Sequence, residues 1–137
     1  MTARCFVDTN ILVYAHDAHA GEKHIRAAQL LSDLWDSREG ILSTQVLQEF
    51  CVNARRKAKL PPSKVAEIVQ DFAKWKVVVN NADSILTLAI EAEHQLSFWD
   101  SLIIHAAQIG GADMIYSEDL TNGQLYGSVR VINPLLR

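Results

Sequence analysis

The sequence is short of the features that mark several classes of protein. Cysteine appears only at Cys5 and Cys51 among 137 residues, with no CxxC pair and no Cys/His spacing. Both lie in apolar stretches, so they read as small buried hydrophobes in a reducing compartment, not as a disulfide or zinc site. No apolar run approaches the ~20 residues that span a bilayer. The opening Met1-Thr2-Ala3-Arg4-Cys5 lacks the apolar core of a secretory leader. The expected location is therefore the cytoplasm, with no membrane association. Positive charge is not in excess either: 13 Lys and Arg stand against 16 Asp and Glu, a formal net charge of −3. That argues against a protein holding nucleic acid by bulk positive charge. It leaves room for one whose clustered acids are offset by bound cations. No internal repeat or low-complexity segment interrupts the chain, and its sharpest break, Pro61-Pro62, separates two helical stretches.

The composition, 49% hydrophobic and 21% charged, is that of a globular chain, and the length suits one domain over 1–137. Short β-branched runs alternate with longer stretches of helical spacing. Cys5-Phe6-Val7, Gly40-Ile41-Leu42, Val77-Val78-Val79, Met114-Ile115-Tyr116 and Val129-Arg130-Val131-Ile132 read as strands. Helices are predicted from Asn10 to His16, Glu22 to Ser37, Ser43 or Thr44 to Lys59, Pro62 through Phe72, Ala82 to His94, and Phe98 to Ile109. This alternation predicts an α/β sandwich: a mostly parallel central sheet of about five short strands, flanked by helices. Open sheets of this kind bind ligands outside the carboxyl ends of their strands.

Acidic residues stand at those places. Asp8 directly follows the first strand, and Asp119 follows Met114-Ile115-Tyr116 after a Ser117-Glu118 turn. Asp100 lies near the start of its helix. Glu49 falls three residues after Val46, on or beside the apolar face of its helix, where a lone carboxylate is costly unless paired or metal-bound. Each also has an ordinary reading. Asp8 can cap the next helix, Asp100 can start its own, Glu49 can keep its head in water, and Asp119 can be a turn residue. As a set, four acids from four segments are placed to converge. Converged, they call for divalent cations, and an all-oxygen donor set suits Mg²⁺ or Mn²⁺ better than Zn²⁺. Such sites perform phosphoryl chemistry: one ion activates a water, and a second about 4 Å away stabilises the leaving oxygen. Thr9, Asn10 and Ser117 beside these acids, and Asn53 one turn after Glu49, can orient the site or serve as local caps.

Other features carry less. Arg55-Arg56-Lys57-Ala58-Lys59 can meet RNA phosphates, but reads first as a basic helix end. Trp35, Trp75 and Trp99 sit in helical patterns and read as core or interface anchors, not base-stacking platforms. The five histidines show no ligand spacing tied to the acids. An aspartyl-nucleophile phosphatase would need a second Asp where Asn10 stands. A receiver domain would need adjacent acids where Asp8 stands alone.

Phe6-Val7-Asp8-Thr9-Asn10-Ile11-Leu12-Val13-Tyr14 resembles the opening motif of the PIN-domain nucleases. Ser43-Thr44-Gln45-Val46-Leu47-Gln48-Glu49-Phe50 resembles their second acidic motif, and Phe98-Trp99-Asp100-Ser101-Leu102-Ile103 the third. Tyr116-Ser117-Glu118-Asp119-Leu120, with Gly123-Gln124 and Val131-Ile132-Asn133-Pro134, resembles the fourth motif and final strand. The motifs follow in family order along the whole chain, whose compact length is similar to that of the VapC toxins of prokaryotic toxin–antitoxin pairs. The resemblance implies a PIN-like three-layer sandwich and Mg²⁺- or Mn²⁺-dependent endonucleolytic cleavage of RNA. It makes Asp8 and Asp100 the most direct ligands. Glu49 and Asp119 would bind metal or its waters, with Thr9, Asn10 and Ser117 supporting. It further implies a cognate antitoxin and a homodimer. The alternative is a PIN-like module that binds RNA or protein without cutting.

Overall fold

Cys5–Val7, three apolar residues in a row, form strand β1, and all three are buried. A parallel strand covered on both faces carries a continuous hydrophobic run where a half-exposed one would alternate. The computed structural model describes residues 3–80 and 84–136. After β1 come helix α1 (Thr9–Ala15), a 3-10 turn (Ala18–Ala20), α2 (Glu22–Ser37), β2 (Gly40–Ser43), α3 (Thr44–Arg56) and α4 (Pro62–Phe72). Next are β3 (Lys76–Val78), α5 (Ser84–His94), α6 (Phe98–Ile109), β4 (Met114–Tyr116), β5 (Leu125–Tyr126) and β6 (Val129–Ile132). The expected helix start at Ala82 and the side chain of Ile85 lie outside what is described.

The helices begin where local chemistry allows. Ser43 caps α3, its Oγ accepting from the Val46 amide at 3.3 Å. Pro62 opens α4, at the one place in a helix where a missing N–H costs nothing. The predicted run to Lys59 is too long: α3 ends at Arg56, Lys57 is its C-cap, and Lys59 turns to φ +57°.

The sheet has six strands in the order β3-β2-β1-β4-β6-β5. All pairings are parallel except β5 with β6. The mostly parallel sheet flanked by helices is as expected. The sixth strand is not, since the two-residue β5 is too short to show an apolar period. Its signal was the turn. Gly127-Ser128 joins Tyr126 to Val129 as a two-residue hairpin loop, with Gly127 at φ +62°.

The core runs through the sheet and out to both helical groups. Phe6, Val7, Leu42, Ile115 and Val131 are buried with Ile11, Val46, Phe50 and Ile104. Helices α1 to α4 pack on one another, α5 packs on α6, and α6 also packs on β2 and β4. Phe72 meets Trp35 and Trp75 edge-on, and Trp75 closes over Gly40, where an added Cβ would lie 2.3 Å from the indole. Trp75 thus matches the core reading. Trp99 is 63% exposed in the first turn of α6, which removes the core half of its core-or-interface reading. Among the described residues no helix is long and apolar enough to cross a membrane.

Strand order reverses about β1. One run of strands leads outward through β2 to β3, the other through β4 to β6. At such a reversal the loops at the carboxyl ends diverge and leave a crevice.

Candidate functional site

The crevice is built from the segments that leave β1, β2 and β4. Asp8 follows β1, its amide held by the Tyr116 carbonyl at the end of β4 (2.9 Å). It caps α1, and Oδ1 accepts from the Thr9 amide at 2.7 Å. Its Oδ2 accepts from the Ser117 hydroxyl at 2.8 Å. Both oxygens are thus fixed, and the carboxyl group is almost fully buried. Ser117 is itself a junction. It is wholly buried, and its Oγ also accepts from the amides of Asp119 and Leu120, each at 3.2 Å. That folds the loop after β4 around one hydroxyl.

The other acids arrive on separate supports. Glu49 stands on α3, where Thr9 Oγ1 donates to its Oε1 at 3.1 Å. Asp119 accepts from the Asn10 side-chain amide. Asp100 lies in the first turn of α6, whose cap Ser97 accepts from the Asp100 amide at 3.1 Å. Asp8, Glu49, Asp100 and Asp119 all line one cavity of about 320 Å³. Thr9, Asn10 and Asn53 share its wall, while Ser117 stands behind Asp8. The ordinary readings of Asp8 and Asp100 therefore hold together with the convergent one. Asp8 caps a helix with the same carboxyl group that borders the cavity. Glu118, in the same loop, faces elsewhere: Tyr14 donates to it and Lys23 pairs with it, each at 2.7 Å.

Burial pushes the Asp8 carboxyl up from 3.8 to about 6. Its hydrogen bonds from Ser117 and Thr9 pull the other way, and repulsion from Asp119 and Glu49 adds to the rise. A carboxyl held there ionises reluctantly until a cation arrives.

Three further lining residues carried another reading, or none, in the sequence. Lys57 brings an ammonium to the wall of the acidic cavity, so one member of the basic helix end does face the site. The clue was its spacing of eight residues from Glu49, about two helical turns along the same face. Gln45 and Trp99 line the cavity too. Each stands four or one residues before an acid, and nothing in their chemistry announces a role. The histidines stay away from the acids. The His16 ring, for one, lies between Phe50 and Phe72.

The donor set is all oxygen. Among the described residues no group of three or more His, Cys, Asp or Glu side chains is already arranged to hold a metal ion. Mg²⁺ does not require such a cage, since it keeps several waters and binds through one or two carboxylates. The buried, repelled Asp8 beside three further carboxylates fits that manner of binding.

The family model described as the PIN domain matches residues 5–121. No curated protein matches the chain. Among solved structures, the crystal structure of Mycobacterium tuberculosis VapC20, a sarcin-ricin loop cleaving toxin, is similar with a TM-score of 0.67 and 21% identity. The match covers 84% of this chain and 89% of that one. At that identity the likeness is one of fold.

Proposed function

The chain belongs to the PIN-domain family, and from that premise we propose that it is a metal-dependent endoribonuclease, the toxin of a toxin–antitoxin pair. The observation that carries the reading is the convergence of Asp8, Glu49, Asp100 and Asp119 on one cavity at the strand-order reversal. VapC20 is a toxin that cuts RNA, and its likeness in fold supports the same class of substrate here.

In this reading Asp8 and Asp100 hold the metal directly, and Glu49 and Asp119 hold it or its waters. Mg²⁺ or Mn²⁺, when bound, supplies Lewis-acid activation of water and stabilises charge on phosphate oxygens. The chain supplies the rest. Thr9 and Ser117 lock both oxygens of Asp8 in place, so that no side-chain rotation precedes binding. Asn10 and Thr9 hold Asp119 and Glu49 on the cavity wall. Lys57 brings a positive charge to the same cavity, where it can meet the phosphodiester. One of Glu49 and Asp119 helps activate the attacking water by accepting its proton. A cognate antitoxin and a homodimer complete the proposal, and exposed Leu86 and Leu88 on α5 offer apolar surface for a protein contact.

Purified protein incubated with total RNA, with and without Mn²⁺, tests the reading. Cleavage is expected only with the metal, and it is expected to disappear in Asp8→Ala and Asp100→Ala. Cleavage that persists in both variants would sink the site assignment. RNA bound but left intact in Mn²⁺ would leave a module that binds without cutting.

A further inference from the structure

Gln45 lies in the first turn of α3, one helical turn before Glu49, and is 7% exposed. Its Nε2 donates to the Trp99 carbonyl at 3.2 Å. That bond fixes which end of the amide is which, because a carbonyl accepts and only the NH₂ end can donate to it. The other end is then an acceptor, and Gln45 Oε1 is buried with no hydrogen-bond partner. Buried polar atoms are nearly always satisfied. The only other such atom among the described residues, His105 Nε2, belongs to a residue outside the cavity. Gln45 lines the carboxylate cavity and also a smaller one beside it, about 260 Å³, shared with Gln48, Glu49 and Trp99.

Trp99 forms the apolar side of that smaller cavity. Its indole is 63% exposed, and Phe98 braces it edge-on with ring centroids 5.2 Å apart. An indole does nothing for a cation among carboxylate ligands, yet this one immediately precedes Asp100. A flat aromatic face and an unsatisfied acceptor, both next to a phosphodiester-cutting site, match the two ways proteins grip an unpaired base: stacking, and hydrogen bonding along its edge.

Resting on the ribonuclease reading above, we propose that Trp99 and Gln45 form the nucleobase subsite for a single-stranded RNA substrate. Trp99 stacks on the base beside the scissile phosphate, and Gln45 Oε1 accepts a hydrogen bond from that base. As an acceptor it takes a base N–H, either the exocyclic amino group of adenine, cytosine or guanine or the ring N–H of guanine or uracil, and its fixed position selects which edge fits. Stacking supplies affinity for every base, and Gln45 supplies the choice among them.

The test compares wild type, Trp99→Ala, Trp99→Phe and Gln45→Met on a randomised single-stranded RNA pool in Mn²⁺. It reads the base composition at the cut, KM and kcat separately, and sedimentation for mass. Thermal unfolding checks that each variant folds. Binding of a short fluorescent oligoribonucleotide to chelator-treated protein is read alongside. Wild type should show a base preference at one position flanking the cut. Trp99→Ala should raise KM on the order of ten- to a hundredfold with kcat little changed, and weaken oligonucleotide binding to match. Trp99→Phe should recover most of both. Gln45→Met, which has no acceptor at that place, should lose that base preference. A wild type with no base preference flanking the cut, or variants with the wild-type pattern and KM, overturns the subsite while the ribonuclease reading stands. Trp99→Ala that changes only the sedimenting mass makes Trp99 a subunit contact and also overturns it. If wild type cuts no RNA, the ribonuclease reading fails. The binding arm then decides the subsite: weakening by Trp99→Ala supports it, and unchanged binding ends it.

Discussion

At Asp8 one carboxyl group caps α1 and borders the cavity, and the two duties pull against each other. Burial raises its pKa to about 6 in the fold, against 3.8 as the ordinary value. Between those values the folded chain binds more protons than the unfolded one, so Asp8 contributes stability that is full below pH 3.8 and lost as pH rises through about 6. His16 works in the opposite sense: burial lowers its pKa, so its contribution is lost as pH falls. The stability difference between wild type and Asp8→Asn cancels that background. In chelator, urea unfolding from pH 4 to pH 7.5 should show wild type losing on the order of 2–3 kcal/mol relative to the variant. A difference that stays flat with pH would mean Asp8 is not buried as described. The place of Asp8 was legible because a strand end can be read from a run of apolar residues. The roles of Gln45 and Trp99 were not. An unsatisfied oxygen and an exposed indole are facts of packing, and the helical pattern around Trp99 gave the same signal as a core tryptophan would.

Among the elements, those fixed by long periodic runs or strong caps were readable: α2, α4 and α6 fall where spacing, Pro62 and Gly110 place them. Strand β5 and the end of α3 were not. One has too few residues to show a period, and the other continues in sequence character past its last hydrogen bond. Gly40 shows how an element can depend on a single atom's absence. At the amino end of β2 it lets the Trp75 ring lie against the backbone, and a Cβ there would meet the indole at 2.3 Å. Gly40→Ala should cost about 1–3 kcal/mol of stability by urea unfolding, the usual range for overpacking. Because Gly40 lies at the opposite end of its strand from the acids, metal-dependent cleavage per folded molecule should stay at the wild-type level. A matching loss of cleavage would show that β2 transmits strain to α3.

Over the whole molecule, a net charge of −3 hides a strongly uneven distribution, with four carboxylates at one crevice. Divalent cations bound there should therefore stabilise the fold. Saturation at a hundredfold excess over the dissociation constant gives about 2.7 kcal/mol. For a chain of this size that is a rise in Tm on the order of 5–15 °C. Mg²⁺ or Mn²⁺ should produce it in wild type and much less in Asp8→Asn or Asp100→Asn. A rise of equal size in all three would place the binding elsewhere. At this scale the strand ends and helix starts in the sequence placed the four acids to converge, while which side chain holds which acid depends on the strand crossings.

Two contacts that join the crevice, Ser117 to Asp8 and Asn10 to Asp119, each link residues 109 positions apart. A chain still being translated has Asp8 and Asn10 long before it has their counterparts, and contacts of such long range form late in folding. Every growing fragment that ends short of Ser117 therefore lacks the assembled centre. If this protein cuts RNA, the message and ribosome that produce it are spared by the order of synthesis until the segment carrying Ser117 and Asp119 has emerged.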